Sequence, residues 1–347
     1  MAIPSVNPDL VPSVSGEGAI AAFVASWLRA AGLEVSVVEP VPGRPSVVGV
    51  LRGSGGGSSL MLNAHMDTVG AGGMSAPFTP LLRNGRVYGR GAYDMKASLA
   101  AIMVAARSAR SLSLKGDLIV TAVADEEVAS LGTSAVLERF RTDFGIVTEP
   151  TELRLCLAHK GFVWLEVETV GVAAHGSRAD IGVDAIAHMG RVLTGVLGLN
   201  SRLRSGPRHP LLGTGSIHAS LIEGGQEMST YPARCVAKLE RRTVPGEDGA
   251  SSRLEIGENA RVMLERPPSE VAPDHPLSVA VAEAAQNPEI IGVAYWMDMA
   301  LLNAAGIPCV AFGPIGEGEH ADVEWVDVAS VEKCVEVYLR AAELLCH

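Results

Sequence analysis

Asn63-Ala64-His65-Met66-Asp67-Thr68-Val69 and Gly89-Arg90-Gly91-Ala92-Tyr93-Asp94-Met95-Lys96, both within residues 60–99, decide how this chain folds. The first fragment ends an apolar run, 59–63, that reads as a buried strand. His65 followed two residues on by Asp67 suits a metal ligand with its partner: one imidazole nitrogen binds the ion, and a nearby carboxylate accepts the proton of the other. The second fragment sets Asp94 behind a glycine-bracketed turn, at the entrance to an Ala- and Leu-rich helix over 95–109. A carboxylate in an irregular turn between rigid elements is placed to bridge two ions.

Working outward, residues 18–31 form one amphipathic helix stopped by Gly32. Strands are expected at 34–38 and 47–51. The run Gly53-Ser54-Gly55-Gly56-Gly57-Ser58 lacks the Lys-Ser/Thr and the following helix of a phosphate loop, so a hairpin turn is expected there. A β-branched strand, 117–123, runs into Ala124-Asp125-Glu126-Glu127. A helix (131–140) and a short strand (144–147) follow, the strand ending in Thr148-Glu149-Pro150-Thr151. Strands alternating with helices predict an α/β fold: a mostly parallel sheet with helices on both faces. Ligands in such sheets gather at the carboxyl ends of the strands. His65, Glu126, Glu127 and Glu149 are each expected just past a strand, so all would project to that one edge.

After Lys160 the pattern changes. Residues 162–170 alternate as a half-exposed antiparallel strand. A helix (183–197), a polar loop (200–212), strands at 216–222, 233–242 and 260–264, and a helix near Ser252 complete an inserted α+β domain. The organisation expected is a first catalytic segment, 1–159, the insert, 160–268, and a second catalytic segment, 269–347. That last segment carries helices at 277–286, 298–304 and 327–345 and a strand at 309–312.

Composition narrows the function. The 347 residues exceed one ordinary core, and 48% hydrophobic residues can fill two. Aromatic residues at 4% and a net charge of -11 argue against nucleic acid, which needs stacking rings and a basic face. The five cysteines are scattered and contain no Cys-x-x-Cys pair, so free thiols in a reducing cytoplasm are expected. No signal sequence and no membrane span is read. The absence of a Gly-x-Ser-x-Gly elbow speaks against a serine hydrolase.

His65, Asp67, Asp94, Glu126, Glu127, Glu149 and His320 remain as an ordered set of titratable groups. Any one alone is most simply a solvated side chain. Together, two imidazoles and several carboxylates without thiolate suit zinc, cobalt or manganese. Two ions about 3.5–4 Å apart can polarise a carbonyl and activate a water. Glu126 and Glu127 can point differently, one to metal and one to the water, the free one acting as general base and then acid.

In these fragments the chain resembles the M20 metallopeptidases, the group of acetylornithine deacetylase, succinyl-diaminopimelate desuccinylase, carboxypeptidase G2 and aminoacylase. To those already quoted it adds Ala174-His175-Gly176-Ser177 and His320 with Glu324 four residues on. The resemblance implies a zinc-exopeptidase-like fold with a lid or dimerisation domain inserted. His65 and Glu149 would bind one divalent ion, Glu127 and His320 the other, and Asp94 would bridge them, followed by a cis peptide bond. Asp67 would orient His65, and Glu126 would be the base and acid. His175 would reach the partner subunit's site and stabilise the oxyanion, and Arg242 would hold a substrate carboxylate. Ala97 stands where the family usually has Gly, and Ser229 where desuccinylases often have Asn. The helix that usually precedes residues 5–8 is absent from this sequence, so either its start is not the true one or a bare, apolar flank is expected. Asp298 resembles a position near the family's site and equally suits a helix N-cap.

The activity implied is a homodimeric, cytoplasmic deacylase of N-acyl amino acids that uses two ions, zinc first, cobalt or manganese otherwise. A carboxypeptidase or dipeptidase acting on short peptides is the alternative within the family. A catalytically silent binding scaffold is the alternative outside it.

Overall fold

The computed structural model describes residues 1–347. They divide into two compact units, one of Met1–Leu157, Val271–Ile291 and Met297–His347, the other of Ala158–Glu270 and Gly292–Trp296.

The first unit is built on a mixed sheet. Across it run Glu34–Val38, Ser46–Leu51, Leu118–Val123, Leu60–His65, Phe144–Val147 and Cys309–Ala311. The last four are parallel, and the first two are antiparallel additions at the edge. Every residue of Leu60–His65 and Leu118–Val123 is buried, as expected of strands covered on both faces. Helices Gly18–Ala30, Ala97–Ser108 and Val328–Leu345 supply much of that cover. The strand pairing fixes which ends coincide: His65 lies opposite Val123, and Asn63 opposite Val147.

The hairpin expected at 53–58 is not formed. Ser46–Leu51 and Leu60–His65 pair with opposite sides of Leu118–Val123, so the glycine run crosses over the start of that strand. Its glycines serve close approach: a Cβ on Gly53 would lie 2.2 Å from the Lys115 carbonyl oxygen. The flank near the first residues carries an apolar groove of about 190 Å³, lined by Ile3, Phe23, Val24, Trp27 and Met103 among others.

The second unit is an antiparallel sheet ordered Ser216–Gly224, Arg234–Thr243, Gly161–Val170, Ala260–Arg266. Val163, Leu165 and Val167 face its core, where helix Ala185–Ser205 packs. That helix runs eight residues past the expected 197, so the polar loop begins only after Ser205. Leu199 and Leu203 continue the apolar stripe onto the core, and tertiary packing thereby holds an Arg-rich stretch in the helix.

Candidate metal centre

The pairing brings three strand ends to one edge. His65 is the last residue of its strand rather than just beyond it. One residue past Val123 the chain enters Ala124-Asp125-Glu126-Glu127, and Glu149 follows two residues after Val147. Asp94 comes from a π-type turn, Ala92–Lys96, placed before the helix that was expected to begin at 95. The Asp94–Met95 peptide bond is cis. Gly91 opens this turn at φ 75°, where a Cβ would meet Thr68 at 2.9 Å. His320 stands on the loop between Gly316–Glu317 and Trp325–Asp327.

These residues converge in two groups that share Asp94. Ligand atoms of His65, Asp94 and Glu149 lie within 4.8 Å of one another, as do those of Asp94, Glu127 and His320. His65 Nε2 is 2.9 Å from Asp94 Oδ1 and 3.7 Å from Glu149 Oε1. His320 Nε2 is 3.3 Å from Asp94 Oδ2 and 3.1 Å from Glu127 Oε2. Glu126 belongs to neither group. Each group offers one imidazole and two carboxylates, a donor set that fits a divalent zinc, cobalt or manganese ion.

The electrostatics point the same way. Burial pushes Glu149 up to about 8, with Asp94 and Glu127 adding to the effect and His65 opposing it. Burial likewise raises Glu126 well above the carboxylate range, and the Glu149 charge reinforces it. Asp94, half-buried, is desolvated too, yet contacts with His320 and His65 outweigh this and hold it low. Hydrogen bonds to Asp94 and Glu127 lift His320 to about 10. Several acids confined in one buried site would be relieved by cations among them.

Asp67 contacts both His65 and the turn after Val123. The imidazole Nδ1 lies 3.0 Å from the Asp67 carbonyl oxygen and 3.5 Å from its carboxylate. The carboxylate accepts the backbone N–H groups of Glu126 (3.1 Å) and Glu127 (3.2 Å) and the side-chain amide of Asn7 (2.8 Å). Glu324 is a second organiser. Fully buried, it accepts from Arg90 Nη1 and from the N–H groups of Gly91, Tyr93 and Asp94. Arg90 in turn donates to the carbonyl of Ala321, beside His320. The sequence marks Glu324 only by its spacing from His320; Arg90 lies in the glycine-bracketed turn and Asn7 beside a proline, and nothing local marks their bonds to Glu324 and Asp67, 234 and 60 residues away. Asp298 precedes helix Met299–Ala304, but its side chain caps nothing; it is buried and accepts from the Thr133 hydroxyl.

His175 and Arg242 lie in the second unit. His175 is exposed, and its Nδ1 lies 2.8 Å from the Ser177 hydroxyl and 3.2 Å from the Ser177 backbone nitrogen. Arg242 donates from Nε to Glu240 (2.7 Å) and lies over the Phe162 ring.

Fold and site together define a class: an α/β protein with a paired divalent-metal site at the carboxyl edge of a parallel sheet. Residues 61–344 match the model of peptidase family M20/M25/M40, and the chain belongs to that family. It is 29% identical to an N-formyl-4-amino-5-aminomethyl-2-methylpyrimidine deformylase of Bacillus subtilis (strain 168), over 94% of this chain and 88% of the relative. It is also 29% identical to an acetylornithine deacetylase of Proteus mirabilis (strain HI4320), over 100% of this chain and 95% of the relative. Aminopeptidase PepT from Bacillus cereus ATCC 10987 shares the fold, with TM-score 0.80, 18% identity, and 100% and 96% of the two chains covered. No helix is long and apolar enough to cross a membrane.

Proposed function

We propose that the chain is a two-metal deacylase of N-acyl amino acids or related small carboxylates, of the acetylornithine deacetylase kind. The observation that carries this is Glu126: a half-buried carboxyl beside two ligand groups and outside both of them. In this reading His65 and Glu149 hold one ion, Glu127 and His320 the other, and Asp94 both. Bound divalent ions, zinc foremost and cobalt or manganese otherwise, supply charge that polarises a carbonyl and acidifies a water. Glu126, its carboxyl raised by burial, takes the proton of the attacking water and delivers it to the leaving amine. Asp67 fixes the backbone of Glu126 and Glu127, so that adjacent acids keep different tasks.

The second unit serves as the dimerisation domain in this proposal. Ser216–Gly224 is an edge strand with nearly every residue exposed, and such an edge offers unpaired backbone groups to a second copy. Leu221 and Ile222, 63% and 55% exposed, add apolar surface to its two faces. His175 from the second copy donates its Nε2–H to the oxyanion, and Arg242 holds the substrate carboxylate. All five cysteines are free and buried, which suits the reducing cytoplasm, where we place the reaction.

The test is a panel of N-acetyl and N-formyl amino acids and dipeptides, offered to protein reloaded with zinc, cobalt or manganese. Acylated amino acids should turn over, and Glu126→Gln should lower kcat by about 10²–10⁴-fold with both ions retained. Turnover of dipeptides alone would move the chain to the peptidase branch. Unchanged turnover in Glu126→Gln would remove its role.

A further inference from the structure

The first residues of the chain reach the metal centre from behind. Asn7 is fully buried, and its side-chain NH2 donates one hydrogen to Asp67 Oδ2 (2.8 Å) and the other to Asp125 Oδ1 (3.0 Å). The Asp9 backbone N–H, 3.0 Å from Asn7 Oδ1, settles which end of the amide is which. The segment itself is stitched to the strand end by Asn7 N–H to the Thr68 carbonyl (2.9 Å) and Thr68 N–H to the Ser5 carbonyl (3.0 Å). Behind Asn7 stands Arg44, whose guanidinium donates to Asp125 (2.7 Å), to both oxygens of Glu17 (2.9 Å) and to Asp9 (2.7 Å).

Asp67 and Asp125 are two wholly buried carboxylates brought against a single NH2 group. Without it, each buried carboxylate would lose one donor, and the two would no longer be joined through a common group. Both acids belong to the framework of the site. Asp67 holds the N–H groups of Glu126 and Glu127. Asp125, at φ 70°, opens the turn from which those two glutamates project, and its carbonyl and carboxylate accept from Ser130, Ala129 and Leu131. We propose that Asn7 is a positioning residue: it ties the His65-Met66-Asp67 strand end to the Asp125-Glu126-Glu127 turn, and Arg44 braces the turn from the far side. A neutral amide is suited to this place, because it gives both carboxylates a hydrogen and adds no charge. Asn7 acts through Asp67 and Asp125 rather than by touching substrate or ion. The inference rests on the roles proposed above for Glu126 and Glu127.

The experiment compares Asn7→Asp, Asn7→Ala and Arg44→Lys with the unaltered chain. Zinc affinity is measured by competition with a chromophoric chelator. The cobalt absorption spectrum, kcat, KM and the melting point of chelator-treated protein complete the set. The isosteric Asn7→Asp should weaken binding of one of the two ions and lower kcat, each by about 10–100-fold, with KM changed by about twofold at most, and it should alter the cobalt spectrum. Arg44→Lys, which keeps the charge and loses the fork, should move the same readouts in the same direction; it also carries the test if the Asn7 variants fail to fold. A fall in melting point alone, with ion affinity, spectrum and kcat unchanged, would make Asn7 merely structural and overturn the inference. An unaltered chain that binds zinc tightly but hydrolyses no amide would instead overturn the functional reading, and the affinity comparison would still decide on Asn7.

Discussion

Glu324→Gln tests the framework of the site independently of any metal. The carboxylate is 1% exposed and accepts four hydrogen bonds: Arg90 Nη1 (2.8 Å) and Gly91 N–H (2.9 Å) on one oxygen, Tyr93 N–H (2.8 Å) and Asp94 N–H (3.0 Å) on the other. A glutamine keeps the shape but removes the charge and turns one acceptor into a donor. Taking one partner from a buried ion pair costs about 3–5 kcal/mol, and a buried N–H left facing a donor costs about 1–3 kcal/mol more. These penalties overlap, so a loss of about 4–6 kcal/mol is expected, a large share of a protein's total stability. Urea unfolding of chelator-treated protein measures it. Arg90→Met should be costly as well, because Arg90 also ties down Gly70 and Ala321. The double variant should cost less than the sum by about 1 kcal/mol or more, since no charge is then left unpaired. A Glu324→Gln loss under about 1 kcal/mol, or strict additivity, would refute this account of the Asp94 turn.

Chelator-treated protein should lose stability as pH rises from about 6.5 to 10, most steeply up to about 8. Glu149 is raised by burial to about 8 and His320 by its acidic partners to about 10, so the folded state holds protons that the unfolded chain has released. Melting curves with and without zinc check this, and the slope should flatten in the loaded protein. Burial holds His159 down to about 4, so its own contribution opposes that of Glu149 below pH 6.5: as pH drops from 6.5 to 4 it should fall by about 1.4 kcal/mol per pH unit. His159→Leu should remove that slope relative to the unaltered chain in urea titrations across the range. Leu221→Lys with Ile222→Glu on the exposed edge strand should convert the proposed dimer to monomer in sedimentation, with the melting point nearly unchanged.

Much of this protein was legible from local pattern. The apolar run before His65, the β-branched run before Glu126 and the turn before Asp94 each declare an element within a few residues. Strand–helix alternation then sets the carboxyl ends to one edge, which is why the candidate ligands could be named from the sequence and its family resemblance. Tertiary structure alone decided the rest. The glycine run at 53–58 had the local chemistry of a hairpin, yet its flanking strands are parted by Leu118–Val123, because strand order depends on pairing across the whole sheet. Asn7 looked like a loop residue beside a proline, and Glu324 like a motif spacing. The bonds of Asn7 to Asp67 and Asp125 and of Glu324 to Arg90 and Gly91 span 60 to 234 residues, and such partners leave no local trace. Periodicity and turn chemistry act over a few residues and can be read in order along the chain, whereas the satisfaction of buried charge is settled only when distant segments meet.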